Sequence, residues 1–133
     1  MQVSNDLGKL VLRVLLGVLI LFHGVSKLIH GLDYITGVVT AAGLPSIVAY
    51  GVYVGEVVAP VLLIIGLWTR IAAALIVINM LVAFTLVHAS QIFTMVGGGW
   101  ALELQGMYLG TALAIALLGA GRFSLGGSHG RCN

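Results

Sequence analysis

The chain has 133 residues, of which 60% are hydrophobic and 8% charged, and its formal net charge is +2. Its mean hydropathy is +1.16 and its pI about 9.0. A soluble domain of this length lacks the interior to hide so much apolar surface, and so small a net charge is no basis for binding nucleic acid.

Lys9 and Arg13 lead into a first apolar run, Leu10–Ile29, in the manner of a signal peptide. The run is longer than the apolar region of a signal, and His23-Gly24-Val25-Ser26-Lys27 stands where a small-residue cleavage site belongs. It therefore reads as a retained helix. A connection over His30–Pro45 follows, with Gly43-Leu44-Pro45 marking a turn and Pro45 suited to helix entry.

The second run, Ser46–Trp68, contains Glu56 and, four residues on, Pro60, which removes a backbone donor and is expected to bend the helix there. Leu67-Trp68-Thr69-Arg70 reads as a tight turn into the third run, Ile71–Ala89, which carries Asn79 and His88. Gly97-Gly98-Gly99-Trp100 forms a flexible loop with an interfacial tryptophan, opening the fourth run, Trp100–Gly119, with Glu103 and Gln105 near its start. Beyond Gly121 the polar tail is expected to fray.

Each run is about the ~20 residues a helix needs to cross ~30 Å of hydrocarbon. The fold class expected is all-α: an integral membrane four-helix bundle forming a single domain over residues 1–133. Four crossings leave both termini on one side. That side holds Lys9, Arg13, Arg70, Arg122 and Arg131 against Lys27 alone on the other, which predicts cytoplasmic N- and C-termini. Arg13 is expected to snorkel to the cytoplasmic face, with Arg70 and Arg122 as simple anchors. The pairs Gly51/Gly55 and Gly106/Gly110 have the GxxxG spacing that lets helices approach closely.

Polar groups placed inside a bilayer cost energy and tend to carry function. His23 falls ~10 Å below the outer surface, Lys27 nearer to it and Glu56 ~15 Å deep, so a common chamber in the outer half of the bundle is expected. His23 and Lys27, four apart, share a helix face. The catalytic candidates are Glu56, His23 and Lys27. The ligand-binding candidates are His23, Lys27, Asn79, His88, Glu103 and Gln105. Against these stand plainer roles: Lys27 snorkelling outward, Glu56 as its structural partner, His23 as an interior hydrogen-bonded histidine and Asn79 joining helices. His23 and His88 could offer two axial ligands to a haem, and two Glu plus two His could hold a metal. No further motif supports either, no Glu-x-x-His pair is present, and no metal site is assigned. Cys132 is the single cysteine, so no internal disulfide and no CxxC redox pair exists, which excludes a thiol-redox enzyme of the vitamin K epoxide reductase type.

The order and spacing of these residues resemble the DoxX family of small four-helix membrane proteins along nearly the whole chain. The carriers are Arg13, Phe22-His23-Gly24-Val25-Ser26-Lys27, Gly43-Leu44-Pro45, Glu56, Gly66-Leu67-Trp68-Thr69-Arg70, Asn79-Met80, His88, Glu103 and the closing Gly119-Ala120-Gly121-Arg122-Phe123-Ser124-Leu125. Where the family usually continues with an aspartate, this chain has Gly126. The resemblance implies a membrane subunit of a quinone-linked oxidoreductase system in a bacterial inner membrane, with quinone as the bound substrate. The partners it implies are lipids, a separate redox subunit and, as a further option, a second copy of the chain. The alternative is a non-enzymatic carrier or binding protein for a lipid or small hydrophobic molecule, or an assembly scaffold.

Overall fold

A computed structural model describes residues 2–127 and 130–133. Among the described residues, five helices account for most of the chain. Helix α1 spans Gln2–His30 and α2 spans Asp33–Ala41. Helix α3, Ser46–Ile65, begins with a 3-10 turn; α4 spans Thr69–Leu86 and α5 spans Glu103–Leu118. Three of them, α1, α3 and α4, are long and apolar enough to cross a membrane. The fourth apolar helix, α5, has 16 residues, and so is ~24 Å long.

These four apolar helices close a ring: α1 packs on α3, α3 on α4, α4 on α5 and α5 back on α1. Leu16 and Ile20 of α1, Leu63 of α3, Ile76 of α4 and Ile115 of α5 fill its centre, each at most 2% exposed. Ala59, Ala72, Ala73 and Ala112 supply the small contacts that bring backbones together. The outer faces are equally apolar, with Phe22, Ile29, Ile78 and Leu117 each more than half exposed. A helix apolar on every side belongs in lipid or in a large core, and this chain is too small for the latter.

The closest helix crossing rests on neither GxxxG pair. A Cβ at Gly51 or Gly110 would meet nothing, and one at Gly106 would meet the Trp100 ring. Only Gly55 faces another helix, at Asn79. The intimate contact is between α1 and α3, where Gly17 lies against Pro60 and Ile64, and Gly24 against the backbone of Glu56. Seven residues apart, these two glycines return to the same helix face.

The structure differs from the sequence expectations in six further places. The connection His30–Pro45 contains α2, between Gly31 and Gly43 with their positive φ of 85° and 79°. Its Ile35, Val38 and Val39 make one apolar face, and nine residues are too few to register as a span. Helix α3 stops at Ile65 because Gly66, left-handed at φ 73°, closes it in a Schellman turn: Leu67 N–H bonds to Leu62 O at 3.0 Å and Gly66 N–H to Leu63 O at 3.2 Å. Residues 95–100 pair as a short antiparallel hairpin, Met95–Val96 with Gly99–Trp100, so α5 begins at Glu103.

The tail does not fray at its root or its end. Leu125 and Gly126 donate to Ile65 O and Gly66 O at 3.1 and 2.9 Å, and Asn133, 8% exposed, accepts from Thr69 N–H at 3.1 Å. Finally, Arg13 does not snorkel. It is fully buried, and its guanidinium donates to Leu63 O at 2.9 Å and Phe123 O at 2.6 Å. The carbonyls at the C-terminal end of α3 are the negative pole of that helix, and a carbonyl has two lone pairs, so Leu63 O accepts from Arg13 as well as from Gly66 N–H without a carboxylate. Arg70 acts likewise on α5, donating to Ala116 O and Leu117 O at 3.0 and 3.1 Å and to Asn133 O at 3.1 Å. Asp6 meets Arg122 N–H at 3.4 Å, so the N-terminal segment of α1 and the chain after α5 lie at the same end of the bundle.

Candidate functional site

Pro60 has no N–H to give the carbonyl four residues earlier, which is that of Glu56. The helix answers with a π turn over Val54–Val58, in which Ala59 N–H bonds to Val54 O, five residues back. This widened turn carries Glu56 on the inner face of α3, 6% exposed. Gly24 fits against the displaced carbonyl, and so α1 approaches closely at this level. π turns recur at functional sites because they re-aim side chains within a continuous helix.

One turn above Gly24, Lys27 reaches across and donates from Nζ to Glu56 Oε2. From α4, Asn79 Nδ2 donates to Glu56 Oε1 at 3.3 Å. Both carboxylate oxygens are thus engaged, each by a different helix. Tyr53 donates its hydroxyl to Lys27 O at 3.2 Å, a second tie between α1 and α3. The Glu56 side chain is 7% exposed and that of Lys27 25%, so the carboxylate is deep and the ammonium keeps partial access to polar surroundings. A buried carboxylate is tolerable when paired and hydrogen-bonded, as here.

This triad forms part of the wall of a cavity of about 520 Å³, within the ~300–1,000 Å³ of small-molecule sites. Of the sequence candidates, His23, Lys27, Glu56, Asn79, His88 and Gln105 all line it. They come from α1, α3, α4, the turn after α4 and α5, and all face one cavity. Glu103 does not line it. Its Oε1 accepts the Trp100 N–H at 3.0 Å, folding back over the start of its own helix. His88 Nδ1 is paired with Gln91 Oε1 at 2.9 Å at the rim.

Two contributors were not singled out from sequence. Tyr108, three residues after Gln105 on the same face of α5, is 8% exposed and packs edge-on to His23, ring centroids 5.9 Å apart at 76°. Its spacing from Gln105 was the available signal. Helix α2 closes another side of the cavity with Tyr34, Ile35, Val38 and Val39. The remaining lining is aliphatic, including Ile20, Val52, Leu75 and Leu86. Among the described residues no cluster of three or more His, Cys, Asp or Glu side chains is placed to hold a metal ion.

Such a chamber can bind an apolar molecule, present hydrogen bonds to one polar end and hold a proton on a carboxylate or imidazole. The DoxX family model matches residues 8–89, which include most of α1 and all of α2, α3 and α4, with His23, Lys27, Glu56 and Asn79. The chain is 32% identical over 120 residues to a Bacillus subtilis protein named "Putative oxidoreductase CatD", covering 90% of this chain and 85% of that one. It is 31% identical over 118 residues to an uncharacterized protein of Haemophilus influenzae, covering 86% of this chain and 84% of that one. No solved structure gives a significant match.

Proposed function

The chain belongs to the DoxX family and is an integral membrane protein, and on that premise we propose that it is the membrane subunit of a quinone-linked oxidoreductase system. The observation that carries this reading is the Lys27–Glu56–Asn79 triad set into the wall of a largely aliphatic cavity of about 520 Å³. A lipid-soluble quinone has the matching form: an apolar tail for the aliphatic walls and ring oxygens for the polar ones. Its two-electron reduction consumes two protons, which the protein must deliver inside a medium without water. In this reading His23 and Lys27 hydrogen-bond a ring oxygen, and Glu56, bridged to Lys27, holds and passes a proton. The electrons come from a separate redox subunit. In the proposed arrangement α5 completes four crossings, the termini face the cytoplasm and the membrane is the bacterial inner one. The charge asymmetry supports that orientation, with Lys9, Arg13, Arg70, Arg122 and Arg131 at the terminal end.

The dominance of aliphatic lining favours, as a second reading, a carrier of lipid or another small hydrophobic molecule. Mass spectrometry of an organic extract of the detergent-purified protein separates the two, run beside Glu56→Gln. Quinone retained by the wild type and depleted in the variant is the expected result. Phospholipid alone in both would refute the quinone reading and favour the carrier.

A further inference from the structure

Apart from His88, paired with Gln91, and the largely exposed Tyr34 of α2, the cavity's polar side chains divide into two sets. Lys27, Glu56 and Asn79 are satisfied by one another. His23, Gln105 and Tyr108 make no side-chain hydrogen bond to protein among the described residues, though all three line the cavity. Tyr108 is more than nine-tenths buried, and its neighbour His23 offers it a ring edge contact, not a hydrogen-bond acceptor. Its hydroxyl is not fully enclosed, so it opens on the cavity, where water or a ligand can supply the partner that the protein does not.

We infer that Tyr108, with His23 and Gln105, grips the polar end of the cavity's ligand, and that this ligand is an uncharged lipid-soluble molecule bearing carbonyl or hydroxyl oxygens. The choice of a quinone as ligand rests on the function proposed above; the choice of wall does not. Tyr108 and Gln105, three apart on α5, face the same way, and His23 stands opposite on α1 beside the Tyr108 ring. Together they offer donors and acceptors both: a phenol O–H, an amide N–H₂ and carbonyl, and an imidazole. That mixture suits oxygens which accept in one redox state and donate in the other. An anionic headgroup is a poor match, because the one ammonium lining the cavity is already neutralised by Glu56. Glu56 then serves the ligand through Lys27, not by direct grip.

The test uses the full-length protein in detergent with two probes sharing a tail, decylubiquinone and decylbenzene. Probe bound per protein is read by mass spectrometry across a titration. Tyr108→Phe keeps the ring packed on His23 and removes only the hydroxyl; Gln105→Leu keeps the bulk. Either variant should weaken decylubiquinone about three- to tenfold, the worth of one hydrogen bond, and leave decylbenzene unchanged. Unchanged decylubiquinone affinity in both variants would overturn the assignment of this wall while leaving the quinone site standing. Equal weakening of both probes would show that the residues only shape the cavity, which also overturns it. Absence of decylubiquinone binding by the wild type would overturn the quinone reading and this one together.

Discussion

Glu56→Gln keeps the shape of a side chain that is 7% exposed and removes the charge facing Lys27. Breaking one side of a fully buried ion pair costs about 3–5 kcal/mol. Lys27 is 25% exposed and can swing toward polar surroundings, so the cost of this variant falls to about 1.5–3 kcal/mol. Lys27→Met is the harsher change, because it leaves the deeper carboxylate with Asn79 alone; about 3–4 kcal/mol is expected. The double variant strands neither charge and should cost only about 1–2 kcal/mol, giving a coupling energy of about 3.5–5 kcal/mol. Equilibrium unfolding in mixed micelles titrated with sodium dodecyl sulfate, followed by circular dichroism, measures all three. Additivity of the single costs within about 0.5 kcal/mol would refute the pair as a coupled unit, and with it the delivery of protons through Lys27.

Three further outcomes are expected. Gly24→Ala drives a methyl into the Glu56 carbonyl and Val57, and backbone cannot yield as a side chain does. It should cost about 2–3 kcal/mol in the same unfolding assay, while Gly110→Ala, whose Cβ meets nothing, should be neutral or slightly stabilising; equal effects would contradict the close α1–α3 crossing. Arg13→Met removes the bonds to Leu63 O and Phe123 O and should release the chain after Gly121, read as faster carboxypeptidase trimming by mass spectrometry; an unchanged rate would show that the tail is held without Arg13. Glu103→Ala loses the contact to Trp100 N–H and about 1 kcal/mol of stability, but leaves retention of the cavity's ligand unchanged, since Glu103 does not line it. A loss of ligand without a loss of stability would put Glu103 back in the site.

The apolar runs were legible because membrane insertion is written in composition: a span declares itself by length and hydropathy before any partner is known. The polar residues were legible for the related reason that a Glu or Lys within such a run stands out against its neighbours. Depth followed from counting, at ~1.5 Å per residue. What counting could not supply was rotation about each helix axis. Glu103 and Gln105 lie two apart and looked equivalent; two residues turn a helix by about 200°, so one lines the cavity and the other meets the hairpin. Arg13 was misplaced because a long side chain near a helix end ordinarily reaches water. Here the C-terminal carbonyls of α3, brought alongside by the Gly17 and Gly24 crossing, offer it a nearer partner.

By itself, then, the sequence determined that the chain is a helical membrane protein of the DoxX family and which few polar groups stand inside it. The tertiary structure alone decided that Lys27 turns inward to Glu56, that Tyr108 joins the cavity wall, that α2 closes one side and that two arginines cap helices other than their own. The physical reason is that hydropathy is a local property summed along the chain. Pairing of buried charges depends on contacts 29 to 110 residues apart, which exist only once the helices have packed.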